Sequence, residues 1–220
     1  MLRNTLNSTG LFLLLLFTGI MATLTLPYFS FRTDVDFLLT KQSVISDTLW
    51  RCAFYTHIST SLFVLLSGGL QFSQKILYNH PRFHRGAGYV YVALVLLLAA
   101  PSGFIMALKA NGGFAARTSF ALTSLLWWAF TGLAFYKIYK GKLQAHIAFM
   151  TRSYALTLSA ITLRLYTLLM PFTLHLRGVD AYVTVAWLSW LPNLVVAEML
   201  IRAGWIKLRA RRQERSSLPA

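Results

Sequence analysis

Six apolar stretches, at residues 11–29, 50–72, 88–108, 118–139, 147–170 and 182–206, dominate this chain of 220 residues. Each has about the length that a ~30 Å hydrocarbon layer demands of a helix. Hydrophobic residues make up 56% of the sequence, and a soluble globule of this size would need a polar skin that such a composition cannot supply. The expected fold is therefore an all-α integral membrane protein, a bundle of six transmembrane helices. The longest connection, residues 30–49, leaves no room for a soluble domain. The expected organisation is a first helix with an outer loop (1–49), a five-helix membrane core (50–206) and a basic tail (207–220).

The formal net charge is +15. In a soluble protein that would point to nucleic acid; between apolar spans the cations are topology signals and lipid-headgroup contacts instead, and no nucleic-acid partner is expected. Lys75, Arg82 and Arg85 fall between the second and third spans, Lys137, Lys140 and Lys142 between the fourth and fifth, and Arg209, Arg211, Arg212 and Arg215 after the sixth. The opposite loops hold Asp34, Asp36, Asp47 and Asp180 and fewer cations. This bias predicts a multi-pass protein of a bacterial inner membrane with both termini cytoplasmic. The tail reads either as a grip on anionic lipid, at ~1 kcal/mol per cation, or as a stop-transfer flank. The first stretch reads either as a retained helix or as a signal peptide; its run past the small residues 19–22 to Tyr28 favours retention. A lone cysteine, Cys52, excludes an internal disulfide.

The chemistry has to come from the few polar residues at membrane depth, where each carries a cost and marks a candidate site. His57 sits in the second span, roughly 10 Å below its edge at ~1.5 Å per residue. Ser61, Val64, Gly68 and Gln71 follow on its face at helical spacing. His84, at the start of the third span, and His146, at the start of the fifth, share a depth and could supply two axial ligands to a haem iron; as interfacial anchors they would touch phosphates instead. No metal site is expected apart from that iron. Arg164 lies on the His146 face of the fifth span, at a depth comparable with His57, and its forked donors suit a propionate or a quinone oxygen. Arg152 needs a partner, and Glu198, the only acid inside a span, lies at similar depth; the pair is expected to be structural. Tyr154 and Asn193 complete the polar core. Pro192 and Pro101 each interrupt a span. The Trp127-Trp128 pair reads as packing against lipid or a helix, or against a flat ring.

The segments HISTSLFVLLSGGLQF, HPRFHRGAGYVYV, PSGF, HIAFMTRSYALTLSAITLRLY and WLSWLPNLVVAE together resemble a bacterial family of predicted integral membrane proteins of unknown function. The resemblance covers about residues 50–201 and implies an architecture without assigning a reaction. A looser likeness is to transmembrane b-type cytochromes, in which two haems each sit between histidines of neighbouring helices. His84 and His146 match one such pair; His57 has no counterpart, because the fourth span contains no histidine and His175 lies in a loop. The functional expectation is a small redox protein binding haem b or a quinone through His84, His146, His57 and Arg164, with a membrane redox partner. A transporter or proton path built from the same residues, and a non-catalytic membrane scaffold, are the alternatives.

Overall fold

The computed structural model describes residues 2–173 and 178–204. His175 and the basic tail lie outside the described residues. Every regular element within them is helical. Six helices are long and apolar enough to cross a membrane: Thr9–Ser30, Thr48–Leu70, Pro81–Ala107, Gly113–Tyr139, Leu143–Met170 and Gly178–Arg202. These are spans one to six. Spans three to six begin earlier than their apolar runs, because hydropathy marks only the lipid-embedded part of a helix. Pro81, with its preset φ, starts span three, and the cations Arg82 and Arg85 then fall inside the helix.

Spans two, three, four and five pack as a ring of neighbours, with span six against spans four and five and span one leaning on span two. The shared core joins Val64 and Leu65, Tyr91 and Val95, Trp127, and Leu156. The large apolar side chains left outside, such as Phe63, Leu97 and Val195, face outward in every span, and membrane-spanning helices put that surface against lipid.

Three spans are interrupted. In span three, Pro101 has no N–H for the carbonyl four residues back, and the helix widens into a π-turn over Val95–Ala99. In span five, Leu158 separates Leu143–Thr157 from Ser159–Thr173. In span six, the helix stops at Leu188 and resumes at Leu191 ahead of Pro192. Asn193 Nδ2 donates to the carbonyls of Ser189 and Ala155 there, at 3.2 Å each, so it stitches the break to span five.

Residues 26–47 form a lid over one end of the bundle. Leu38, Tyr28, Trp50 and Phe54 make a separate apolar cluster under it, with Trp50 stacked on Phe54 at 5.6 Å between centroids. Asp47 caps span two by accepting from the backbone N–H of Leu49 at 3.0 Å. At the same end, Gly112 turns span three into span four at φ +80, where a Cβ would stand 2.9 Å from Tyr182; only glycine meets both conditions.

Candidate functional site

Beneath the lid lies a cavity of about 300 Å³. His57 and Ser61 of span two, Arg164 of span five, Trp50, and Lys41 of the lid contribute to its lining. The remaining wall is mostly apolar or small, and no carboxylate lines it among the described residues. His57 and Arg164 are thus brought to one cavity, with two residues, Lys41 and Trp50, that the sequence did not single out.

The π-turn orients His57. Nδ1 of His57 lies 2.8 Å from the Ala99 carbonyl at the end of that turn. A carbonyl can only accept, so Nδ1 carries the proton and Nε2 is left with its lone pair. Nε2 has no partner among the described residues. Gly103 makes the approach feasible: a Cβ there would sit 3.0 Å from His57 Cε1 and 3.2 Å from Ser124 Oγ. Other carbonyls around the turn are met by side chains. Trp128 Nε1 donates to the Leu96 carbonyl at 3.1 Å, and Ser102 Oγ donates to that of Leu98 at 2.6 Å.

The lid contributes a second polar element. Lys41 is 2% exposed, and its ammonium donates to the Lys109 carbonyl at 2.6 Å and to Asn111 Oδ1 at 2.8 Å. Asn111 Nδ2 returns a bond to Thr40 at 3.0 Å. Burial first, and the charge of Arg117 second, hold Lys41 down at about 8 from its ordinary 10.5. The indole N–H of Trp50 is buried and has no acceptor among the described residues. An unpaired buried donor of this kind costs ~1–3 kcal/mol, so it marks a place where a ligand atom would be favoured.

Trp127, which lines the cavity, belongs to a closed hydrogen-bond circuit. Trp127 Nε1 donates to the Tyr91 hydroxyl at 3.4 Å, and Tyr91 meets Ser153 Oγ at 2.6 Å. Ser153 meets Thr131 Oγ1 at 2.6 Å, and Thr131 donates to the Trp127 carbonyl at 2.7 Å. An indole can only donate and a carbonyl can only accept, so every proton has one direction: Trp127 to Tyr91 to Ser153 to Thr131 and back to Trp127. Thr157 adds a fifth member, 3.0 Å from Tyr91. The circuit pins spans three, four and five together. Because it starts and ends on one residue, it is not a chain of hydroxyls from one membrane face to the other. In the sequence Tyr91 does not stand out, and Trp127 reads as packing against lipid or a helix, or against a flat ring. The only available signal was a tyrosine inside an apolar run, facing a serine and threonine on span five.

At the opposite end of the bundle lie His84, in the first turn of span three, and His146, in the first turn of span five. His146 Nδ1 donates to the Ala134 carbonyl at 2.9 Å, which leaves its Nε2 free. His84 Nδ1 is buried with no partner among the described residues, while its backbone carbonyl accepts from Gln71 Nε2 at 3.2 Å. Of the small residues beside them, Gly88 is packed, since a Cβ there would stand 3.1 Å from Gln71 Oε1, whereas Gly86 borders open space, with nothing within 4 Å of a Cβ. Neither of the two cavities described here is lined by His84 or His146. No group of three or more metal-binding side chains occurs among the described residues.

Arg152 and Glu198 form a bidentate pair, Nε to Oε1 at 2.5 Å and Nη2 to Oε2 at 3.0 Å, with the guanidinium also 5.2 Å from the Phe149 ring. Tyr154 donates its hydroxyl to the Leu65 carbonyl at 3.1 Å, and Ser61 donates to that of His57 at 2.6 Å. Thr162 ties the span-six break by donating to the Ser189 carbonyl.

A family model described as "Predicted membrane protein (DUF2306)" matches residues 54–201. No curated protein and no solved structure matches the chain.

Proposed function

The chain belongs to this family of predicted membrane proteins, and we propose that it binds a quinol whose ring hydroxyl gives its proton to His57. One observation supports this reading above others: the cavity joins an acceptor without a donor, His57 Nε2, to a residue with a donor lacking an acceptor, Trp50. A hydroquinone ring carries hydroxyls that can serve both. The cavity volume, about 300 Å³, falls at the small end of the ~300–1,000 Å³ typical of ligand sites, which suits a single ring. Arg164 supplies forked donors for a ring oxygen. The Nδ1–H bond to the Ala99 carbonyl fixes the ring and leaves Nε2 free to accept a proton, the arrangement expected of a general base.

The test is a titration of purified protein in mild detergent with a tail-less benzoquinol, followed by tryptophan fluorescence. Wild type is expected to bind, and His57→Ala to weaken binding about tenfold, the loss of ~1.4 kcal/mol. His84→Ala should leave it unchanged. Binding that is indifferent to His57→Ala would end the reading.

A second cofactor has its own support. The orphaned Nδ1 of His84 beside His146, whose Nε2 is free, favours a haem iron held between them as an electron carrier. Protein from haem-replete cells should then show a reducible b-type spectrum that His84→Ala or His146→Ala abolishes. A colourless preparation that takes up no haemin would remove haem from the account. The cation distribution supports a bacterial cytoplasmic membrane with both termini inside and the tail against anionic lipid. Reporter fusions after Gln74 and Gly141 should read cytoplasmic, and those after Asp36 and Gly112 external.

A further inference from the structure

We infer that the seam between spans one and five is the tail subsite of the quinol site, so that the occupant is a long-chain amphiphile with its apolar chain laid along span one. This inference rests on the reading of the lid cavity as the head site. A second cavity, about 420 Å³, is lined by Gly10, Leu14 and Phe17 of span one and by Leu158 and Ile161 of span five. The head cavity is lined by Met21, Leu24 and Thr25 of the same helix and by Ala160, Leu163 and Arg164 of span five. Positions 10, 14, 17, 21 and 24 advance by threes and fours, and 25 follows 21 by four, so one face of span one lines both cavities in sequence.

The chemistry changes along that face as it does along an amphiphile. Polar and cationic groups sit under the lid. In the groove only Ser73 and Tyr154 carry side-chain polar atoms, and both are engaged, Ser73 with the backbone N–H of Ile76 and Tyr154 with the Leu65 carbonyl. Gly69 forms part of the groove floor; a Cβ there would stand 2.5 Å from Leu14 and 2.7 Å from the Tyr154 hydroxyl. From Gly10 to Thr25 the helix rises about 22 Å at ~1.5 Å per residue, most of a ~30 Å hydrocarbon layer. A short substituent would leave that length unfilled, and a polyprenyl-type chain would fill it. The cavity also has a route in from lipid. Leu24, Ala160 and Arg164, all lining the head cavity, are exposed on the outer surface, so the cavity opens sideways between the two helices.

The test uses the full chain in lipid nanodiscs with two probes: a tail-less benzoquinol, and the same head on a long polyprenyl chain ending in a diazirine. After correction for partitioning into lipid, the long probe should bind about tenfold tighter, from the dispersion contacts of an ordered chain. Its diazirine should label peptides containing residues 10–17 and 158–161. Gly10→Phe fills open space, since nothing lies within 4 Å of a Cβ there. It should bring the tail preference close to unity while tail-less binding stays unchanged. Leu13, another lining residue of the groove, gives a second block as Leu13→Trp should Gly10→Phe fail to insert. A tail preference that survives both variants, or label scattered over outward residues such as Phe63 and Leu97, overturns the tail subsite and leaves the head reading standing. Failure of the tail-less probe to bind wild type removes the head reading, and the tail inference with it.

Discussion

Removing the Tyr91 hydroxyl is the sharpest test of the circuit beneath the cavity. In Tyr91→Phe the ring keeps its packing, so the change isolates one oxygen that has three polar neighbours at 2.6, 3.0 and 3.4 Å. Thr157 can turn to the Ser153 carbonyl, already 3.3 Å away, so its bond is recoverable. The Trp127 N–H loses its acceptor, and Ser153 loses its donor. One neutral bond is worth ~1 kcal/mol and an orphaned buried donor costs ~1–3 kcal/mol. Interhelical bonds in membranes average nearer ~0.6 kcal/mol, which pulls the expectation to about 2 kcal/mol in total. Thr131→Val removes the acceptor of Ser153 and should cost about 1 kcal/mol. The two changes share Ser153, so the double variant should lose less than the sum, with a coupling of roughly 0.5–1 kcal/mol. Reversible unfolding in mixed micelles, read by tryptophan fluorescence, gives all three values. Thr131→Val costing more than Tyr91→Phe, or strict additivity, would refute the assigned directions of the protons.

Arg152→Ala and Glu198→Ala should each destabilise the bundle. The pair is partly exposed, with side-chain exposures of 20% and 37%, so a double-mutant cycle should give a coupling of only about 1 kcal/mol; additive losses in the same unfolding assay would separate the two residues. Lys41 should make lid docking pH-dependent. Its folded value of about 8 lies below the ordinary 10.5, so between these values the open lid binds more protons than the closed one and closure strengthens as pH rises. Trp50 fluorescence during thermal melts should show the lid transition moving up across that window and staying level in Lys41→Met; a downward shift would reverse the sign.

The helices were legible because a bilayer makes them so: a span needs a long apolar run, and six such runs stand out whatever the tertiary contacts. Glu198 and Arg152 could be considered together for a related reason, since a single acid in a span has few partners to choose from. The interruptions at Pro101 and Pro192 were visible as missing donors. Their consequences were not, because which side chain meets a freed carbonyl depends on a neighbouring helix. Nor does the pattern show that the Ala99 carbonyl, at the end of the π-turn, holds His57. The lid escaped for a different reason. It is short 3-10 structure without periodicity, and nothing in the pattern of residues 26–47 says that Lys41 would be buried. Tyr91 and Trp127 look like ordinary membrane aromatics until spans three, four and five are brought together.

The π-turn in span three also acts as a phase adjuster. An α-helix advances about 100° per residue, and a π-turn is a one-residue insertion in that count. The two halves of span three therefore run out of register by roughly a quarter turn or more relative to an unbroken helix. One half aims Tyr91 at the circuit, while the other turns Gly103 toward His57. A helix without the extra residue could satisfy one of these azimuths and would miss the other. Deleting a single leucine from Val95–Ala99 would remove that extra residue, and Gly103 would turn away from His57 while Tyr91 kept its place in the circuit.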